Sequence, residues 1–265
     1  MTELTLEISD MKCEGCVNAV RDALSGLSGV HNVNVSLKDK TATLDSISWQ
    51  QWTEDARTEY ETFTATDSCP GPVLLPNIFR WLRQRLPVDA IVTNGAGTYA
   101  GWSQRYFQHY QLHTQLGPIS GGMGYGLPAA IAAKLHRPES TVIALGGDGC
   151  FLMNSEELAT AVKYQVHVIV IVINNNMYGA IRLHQETAFE GRDLGTDLVN
   201  PDFAILARAY GISGAVVSST EEFEPAFEEA MHANGPALIE IRINPEAINT
   251  RFTLSSISNK PENTG

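Results

Sequence analysis

Apolar and polar positions follow two different patterns along the 265-residue chain. In residues 1–44, alternation around Leu6 predicts a half-buried strand, and apolar residues then recur at helical spacing over residues 17–27. Alternation resumes at Val30, and a polar turn separates this stretch from another short strand that ends at Leu44. We therefore expect a small β-α-β-β segment, which is part of a ferredoxin-like arrangement.

The pattern changes in residues 45–71, where aromatic residues stand among acidic and threonine side chains before a turn rich in proline and glycine. We interpret these residues as an amphipathic helix followed by a linker. At the other end of the chain, the polar residues 249–265 are expected to form a disordered tail.

Between residues 72 and 248, runs of β-branched residues alternate with stretches of helical periodicity. Continuous apolar strands with helices between them are typical of a parallel sheet that is covered by helices on both faces. We therefore predict a doubly wound α/β domain. The predicted strands are residues 90–93, 141–145, 168–173, 214–217 and 237–243, and the predicted helices are residues 126–135, 155–164, 201–210 and 221–234.

Composition and charge exclude several classes of partner. The chain carries 30 acidic and 18 basic residues, and no run of Lys or Arg that would attract nucleic acid or an anionic membrane. Residues 1–10 lack the basic and apolar parts of a signal peptide, and the longest apolar run, residues 166–173, is too short to span a bilayer. Two of the four cysteines form a Cys-x-x-Cys pair, which fits a reducing compartment. We expect a cytoplasmic protein.

The sequence Gly146-Gly147-Asp148-Gly149-Cys150 directly follows the predicted strand 141–145. Ligands of doubly wound sheets bind at such strand ends, where glycines let backbone N–H groups approach phosphate and a carboxylate can hold a divalent cation. Because Mg²⁺ prefers octahedral oxygen coordination, a further side-chain oxygen is expected at a neighbouring strand end. The strand 168–173 ends in Asn174-Asn175-Asn176. The alternative is a glycine turn and a polar strand end that bind nothing.

These two elements resemble the signature of the thiamine diphosphate-dependent enzymes, which is Gly147-Asp148-Gly149, then residues 150–173, then Asn174-Asn175 in this chain. The resemblance implies that Asp148 and Asn175 are side-chain ligands of Mg²⁺. It also implies that the main-chain carbonyl of Met177 is a third ligand. Further positions that the resemblance assigns to the cofactor are Gly147, Gly149, Cys150, Tyr178 and Gly179.

A second resemblance lies in residues 121–130, Gly-Gly-Met-Gly-Tyr-Gly-Leu-Pro-Ala-Ala, which is similar to the acetolactate synthase-like branch of that family. The family's methionine at this position wedges between the two rings of the cofactor, so the resemblance implies this role for Met123 and a cofactor contact for Gly121. A polarizable thioether suits packing against ring edges. The alternative is a methionine that fills the core.

The loop of residues 94–100 formally satisfies the glycine fingerprint of a dinucleotide-binding protein. That fingerprint also requires an acidic residue about 20 positions further on, which binds the ribose. Residues 101–138 contain no Asp or Glu, so the sequence argues against a nicotinamide cofactor. The resemblance instead assigns Gly97 and Thr98 to the diphosphate of thiamine diphosphate.

Enzymes of this family use two similar α/β domains, and the second one supplies a glutamate that activates the cofactor's aminopyrimidine ring. No such unit precedes Pro72, so we expect no activating glutamate in this chain. The resemblance implies a small 2-oxo acid substrate and assembly as a homodimer or as a hetero-oligomer with a pyrimidine-binding subunit. Three explanations stay open: a subunit of a split enzyme, a truncated or fused reading frame without activity, and a recruited binding module.

The segment Cys13-Glu14-Gly15-Cys16 before the predicted helix resembles the heavy-metal-associated domain of copper chaperones. Two thiolates at a helix start can bind Cu(I) or Zn²⁺, and the helix dipole favours their ionised form. The alternatives are a reversible disulfide and two inert thiols. A complete domain of this kind continues with a helix and a strand, which residues 45–71 do not resemble, so the domain is expected to be cut short. The rival function is therefore a copper-binding, chaperone-like module fused to an inactive enzyme remnant.

Overall fold

The structure is a computed structural model in which the chain forms two compact units, Met1–Thr66 and Asp67–Gly265. The boundary between them falls inside the predicted linker. The residues that the structure describes are 3–27, 29–45, 50–65, 69–189 and 191–258.

The first unit contains an antiparallel sheet in the order β1-β3-β2. Its elements are β1 (Glu3–Glu7), α1 (Glu14–Ser25), β2 (His31–Ser36), β3 (Thr41–Asp45) and α2 (Gln50–Ala65). Val17 of α1 packs with Met11, Val35 and Ala42 to form a small core between the helix and the sheet. The predicted β-α-β-β order is confirmed.

Helix α2 lies where an amphipathic helix was predicted, but its side chains are not buried on one face. Between residues 51 and 65, only Phe63 and Thr64 are half-buried, and Trp52 is 66 % exposed. No strand follows α2 among the described residues of the first unit. None of the helices in the described parts of the chain has both the length and the apolar composition needed to cross a membrane.

The second unit contains a six-stranded parallel sheet in the order β5-β4-β6-β7-β9-β8. The strands are β4 (Ile91–Asn94), β5 (Gln115–Leu116), β6 (Val142–Gly147), β7 (Ile169–Asn174), β8 (Ser213–Val217) and β9 (Ala237–Arg242). The helices are α3 (Leu75–Arg85), α4 (Ala100–Tyr106), α5 (Gly126–His136), α6 (Asp148–Phe151), α7 (Leu158–Lys163), α8 (Gly179–Ala188), α9 (Phe203–Ala209), α10 (Phe223–Met231) and α11 (Leu254–Ser258). The five predicted strands are confirmed, and the two-residue strand β5 was not predicted.

Helices cover both faces of this sheet. Because successive side chains of a strand point to opposite sides, a single strand contributes to a core on each face. The isoleucines of β7 join a core with α3, α4 and α10, and its valines join another core with α5, α7 and α9. The first core is built around Phe79, Trp102 and Phe227, and the second around Phe151, Leu158 and Phe203. This arrangement confirms the predicted doubly wound α/β fold.

Two local predictions differ from the structure. The predicted helix 155–164 is divided into a 3-10 turn (Ser155–Glu157) and α7. The predicted disorder from residue 249 is wrong for residues 254–258, which form α11. Ile257 of this helix is buried against Met177 and Ile248. The polar composition of the tail concealed Leu254 and Ile257, whose spacing of three gives one helical turn an apolar side. Residues 259–265 lie outside the described residues.

Candidate functional site

The carboxyl ends of three neighbouring strands, β4, β6 and β7, meet at one cavity of the second unit. The cavity has a volume of about 230 Å³. Ligands bind at this edge of parallel sheets, where the loops that follow the strands converge. The structure brings together there every residue that the sequence assigned to the cofactor or to Mg²⁺: Gly97, Thr98, Gly121, Met123, Gly147, Asp148, Gly149, Cys150, Asn175, Met177, Tyr178 and Gly179.

Asp148 is a buried carboxylate on the wall of this cavity, with only 2 % of its surface exposed. One carboxylate oxygen, Oδ1, accepts a hydrogen bond from the backbone N–H of Gly149 at 2.9 Å, and Oδ2 accepts one from Nδ2 of Asn200 at 2.8 Å. Burial raises the pKa of Asp148, and these hydrogen bonds oppose that shift. None of the ion pairs among the described residues includes Asp148. A bound cation would supply the missing positive charge.

The three consecutive asparagines at the end of β7, residues 174–176, have three different environments. Asn174 donates from Nδ2 to Glu240 on β9 at 2.8 Å, and its Oδ1 accepts from the backbone N–H of Asn176 at 3.0 Å. Asn176 has a left-handed backbone (φ 57°), which asparagine tolerates better than most residues. Only Asn175 of the three lines the cavity. The structure therefore separates one candidate ligand from two residues that shape the loop.

The donors on the cavity wall fit Mg²⁺. Asp148, Asn175 and Met177 offer a carboxylate, an amide carbonyl and a backbone carbonyl from the segments that follow two adjacent strands, and oxygen donors of this kind are what Mg²⁺ prefers. Among the described residues, no group of three or more His, Cys, Asp or Glu side chains could hold a metal. That finding is compatible with this donor set, because only one of its members belongs to those four residue types.

Glycines bring the aromatic side chains of the site into close contact with the backbone. A Cβ atom on Gly147 would lie 2.8 Å from Cδ1 of Tyr99, and one on Gly149 would lie 2.6 Å from Cε1 of Tyr178. Tyr99 is buried, its hydroxyl donates to the carbonyl of Leu145 at 3.3 Å, and burial raises the pKa of its phenol. Sequence reasoning placed Tyr99 in the loop 94–100 but gave it no role, because nothing in its spacing marks it as part of the site.

The loop that carries Met123 is held by hydrogen bonds next to that residue. The backbone N–H of Gly124 donates to Sγ of Cys150 at 3.3 Å, and Nδ2 of Asn154 donates to the carbonyl of Gly124 at 3.1 Å. Met123 itself lines the cavity and is 39 % exposed. The thioether is therefore accessible on a loop whose neighbouring backbone is fixed.

Sequence reasoning also missed Asn200 and Glu240, two polar residues that contact the loops of the site. Asn200 hydrogen bonds to Asp148 although 52 positions separate them in the sequence. The pair Asn200-Pro201 marks a turn before a helix, and the sequence predicts a helix there. No spacing rule connects that turn to the glycine loop of Asp148.

The cysteine pair of the first unit lies at the start of α1. Cys13 is the N-cap residue, Cys16 is in the first turn, and their sulfur atoms are 3.7 Å apart as free thiols. Hydrogen bonds from the backbone of Lys12 and from the Cys13 side chain lower the pKa of Cys16. The pair could bind a soft metal ion or form a disulfide. The roles of both cysteines stay predictions.

Two protein-family models match the chain. The model of the thiamine pyrophosphate enzyme C-terminal TPP-binding domain matches residues 95–241, and the model of the heavy-metal-associated domain matches residues 5–65. The second match includes α2, which the sequence assigned to a linker. The two matches therefore follow the two compact units.

Similar proteins agree with the first of these matches. The chain is 31 % identical to the acetolactate synthase isozyme 2 large subunit of Escherichia coli, over 86 % of this chain and 41 % of that protein. It is 38 % identical to the mitochondrial acetolactate synthase catalytic subunit of Saccharomyces cerevisiae, over 58 % and 23 %. The thiamine diphosphate-dependent 4-hydroxybenzoylformate decarboxylase of Rhodococcus jostii matches with a TM-score of 0.63 and 35 % identity, over 68 % and 34 %.

The chain spans less than half the length of each of these three relatives. The TPP-binding family model, in contrast, covers more than half of this chain and includes the three loops of the cavity. The chain therefore belongs to the family of the thiamine pyrophosphate enzymes, whose C-terminal TPP-binding domain forms its second unit.

Proposed function

We propose that the second unit binds thiamine diphosphate through Mg²⁺ and is the diphosphate-binding half of a 2-oxo acid carboligase or decarboxylase. The observation that carries this proposal is the carboxylate of Asp148. It is buried, it has no ion-pair partner within the described parts of the chain, it borders a cavity, and glycine loops surround it. A buried carboxylate in such a place is stabilised by a bound cation.

Each loop has its own part in the proposed site. Asp148, Asn175 and the carbonyl of Met177 would hold Mg²⁺, and the backbone N–H groups of residues 95–98 and 147–148 would face the diphosphate. Met123 would pack between the two rings of the cofactor. When bound, thiamine diphosphate supplies the electron sink that stabilises negative charge on the substrate carbon. The protein contributes binding, orientation and exclusion of water.

A 2-oxo acid substrate and a second polypeptide are parts of the same proposal. The decarboxylase that matches in structure is named for 4-hydroxybenzoylformate, which is a 2-oxo acid. The relatives named large subunit and catalytic subunit are described as parts of assemblies. The described part of the first unit is an antiparallel sheet and not a second parallel α/β unit. In this proposal the activating glutamate comes from a separate pyrimidine-binding subunit.

Thermal unfolding with and without ligands tests cofactor binding. Mg²⁺ and thiamine diphosphate together should raise the Tm of the wild-type chain, because a ligand that binds only the folded state stabilises it. The shift should disappear in Asp148→Ala. It should persist in Asn234→Ala, because Asn234 is exposed and precedes β9, at the opposite edge of the sheet. A wild-type chain whose Tm does not respond to both ligands would refute the proposal.

A turnover assay tests the need for another polypeptide. The purified chain with Mg²⁺ and thiamine diphosphate should release no CO₂ from pyruvate. Release of CO₂ that depends on Asp148 would refute the need for a partner and would leave cofactor binding in place.

We also propose a second function, Cu(I) binding by Cys13 and Cys16. The supporting observations are two accessible thiols 3.7 Å apart at a helix start and the match to the heavy-metal-associated domain. Titration with Cu(I) against a competing chelator should show binding that is lost in the Cys13→Ser/Cys16→Ser variant. Cys69→Ser is the control, because its half-buried thiol belongs to the other unit. Equal affinity of the wild type and the double variant would end this proposal.

A further inference from the structure

The side-chain amide of Asn200 faces three oxygen atoms of the candidate site. Its Nδ2 lies 2.8 Å from Oδ2 of Asp148, 3.0 Å from Oδ1 of Asn174 and 3.2 Å from Oδ1 of Asn176. An amide nitrogen only donates, and an amide oxygen only accepts. The nitrogen end must therefore face this group, because the oxygen end would be repelled by the carboxylate of Asp148.

Buried Glu240 on β9, which pairs with the exposed Arg242 of the same strand, fixes the orientation of Asn174 and, through it, that of Asn200. Glu240 is 1 % exposed and pairs with Arg242 at 2.9 Å. Its Oε1 also accepts from Nδ2 of Asn174 at 2.8 Å. Because a carboxylate accepts and does not donate, Asn174 must direct its nitrogen to Glu240 and its oxygen to Asn200. A continuous set of hydrogen bonds thus runs from Glu240 to Asp148.

The backbone places Asn200 from both sides. On one side, Tyr178 donates its backbone N–H to the carbonyl of Thr196 at 2.8 Å, and Leu198 donates to Asn176 at 2.9 Å. On the other side, Asp202 caps α9 by accepting from the backbone N–H of Ile205 at 2.7 Å. Asn200 lies between these two attachments, so its amide is held in place before any ligand arrives.

The oxygen end of the same amide is left unpaired. Oδ1 of Asn200 is buried and has no hydrogen-bond partner among the described residues. Leaving a buried acceptor unsatisfied is unfavourable, so the orientation of this amide needs a physical reason. That reason lies at the nitrogen end of Asn200, where three acceptors surround Nδ2 and so determine the orientation of the amide.

We propose that Asn200 is a positioning residue for Mg²⁺ that acts through Asp148, an inference that rests on the proposed function. By donating to Oδ2, Asn200 holds the Asp148 carboxylate in one orientation toward the cavity. It is not itself a ligand, because an amide nitrogen offers no lone pair to Mg²⁺. Residues that orient a metal ligand in this way commonly change metal affinity by about 10- to 100-fold.

The test measures how much Mg²⁺ gives half of the maximal Tm increase at saturating thiamine diphosphate. In Asn200→Ala the half-saturating Mg²⁺ concentration should rise by about 10- to 100-fold, and saturating Mg²⁺ should restore the full increase. Asn200→Asp keeps the size of the side chain but removes the donor, so it should also raise this concentration. Asn234→Ala is the control and should match the wild type.

The Tm without ligands separates positioning from a structural role. A structural role would lower the ligand-free Tm of both Asn200 variants and leave the half-saturating Mg²⁺ concentration unchanged, which would overturn the inference. Wild-type Mg²⁺ dependence in Asn200→Asp would also overturn it, because the donor would then be dispensable. If the wild-type chain shows no response to Mg²⁺, the proposed function fails and the inference fails with it.

Discussion

The two candidate metal sites of this chain differ in how their donors come together. Cys13 and Cys16 are three positions apart at the start of one helix, and Cys13 is exposed. Asp148 and Asn175 directly follow two adjacent strands of a parallel sheet, and both are buried. The first pair depends on one turn of local structure, whereas the second depends on the whole packed sheet.

Because of this difference, a mutation should have different consequences for stability and for metal binding in the two units. A substitution in the core of the second unit should lower the free energy of unfolding of that unit. The site is then lost at a lower temperature, because it exists only while the sheet is folded. A change at the cysteine pair should remove a function and leave folding almost unchanged. The protein therefore offers a direct comparison between a local site and a site that the fold assembles.

Phe227→Ala should have the largest effect on the second unit. Phe227 is fully buried on α10, and its ring contacts Trp81 and Phe223 edge-to-face or tilted at 5.5 and 5.7 Å between centroids. Removing a buried aromatic ring costs about 3–5 kcal/mol in the free energy of unfolding. Urea unfolding should show this loss, while the affinity of the cysteine pair for Cu(I) stays at the wild-type value. A matching loss of Cu(I) affinity would break the comparison, because the two units would then depend on each other.

Asp148→Asn should cancel the stabilisation by Mg²⁺ and thiamine diphosphate, which amounts to about 2.7 kcal/mol when the ligand is 100-fold above its Kd. The ligand-free variant should not unfold at a lower temperature than the wild type. Burial raises the pKa of Asp148, so the ionised carboxylate destabilises the folded state above that pKa, and the variant removes this charge. Calorimetric scans at neutral pH measure both effects. A lower ligand-free Tm would show that the carboxylate stabilises the fold and is not kept for a ligand.

Gly149→Ala should weaken cofactor binding without unfolding the unit. The added methyl group would meet the ring of Tyr178 at 2.6 Å, and overpacking of this kind costs about 1–3 kcal/mol. Equilibrium dialysis should therefore show an increased Kd for thiamine diphosphate. Gly101→Ala is the matched control, because a Cβ atom there would meet no atom closer than 3.9 Å and Gly101 does not line the cavity. Unchanged affinity in Gly149→Ala would mean that Tyr178 moves aside at no cost.

Cys13→Ser/Cys16→Ser should have the smallest effect on stability. Cys13 is exposed and Cys16 is half-buried, and surface substitutions usually change the free energy of unfolding by no more than about 0.5 kcal/mol. Circular dichroism during heating should superimpose on the wild-type curve. A large loss of stability would place the cysteine pair in the core of its unit and remove the contrast with Asp148.

The sequence predicted the sheet of the second unit well because each strand carries a strong local signal. The strand before Asn174 is apolar on both faces, which only a doubly covered sheet can bury. The loops that line the cavity follow such strands directly. Gly147 and Asn175 were therefore placed at one edge of the sheet by the fold class and the motif together.

The residues that the sequence missed depend on contacts between distant positions. Asn200 reaches Asp148, and Tyr99 packs against Gly147, only because the sheet brings their segments together. Helix α2 was predicted as amphipathic, yet nearly all of its described side chains are exposed, because periodicity alone does not determine whether an apolar face is covered. Local patterns therefore predicted the elements and the motif, and the three-dimensional packing supplied the residues that support them.

Isothermal titration calorimetry of thiamine diphosphate into the wild-type chain tests the central claim most directly. With Mg²⁺ present, we predict saturable binding with one cofactor per chain. With Mg²⁺ replaced by EDTA, we predict that the binding heat disappears, because Asp148 needs a cation to face a diphosphate. Absence of binding in Mg²⁺, or equal binding in EDTA, would contradict the account.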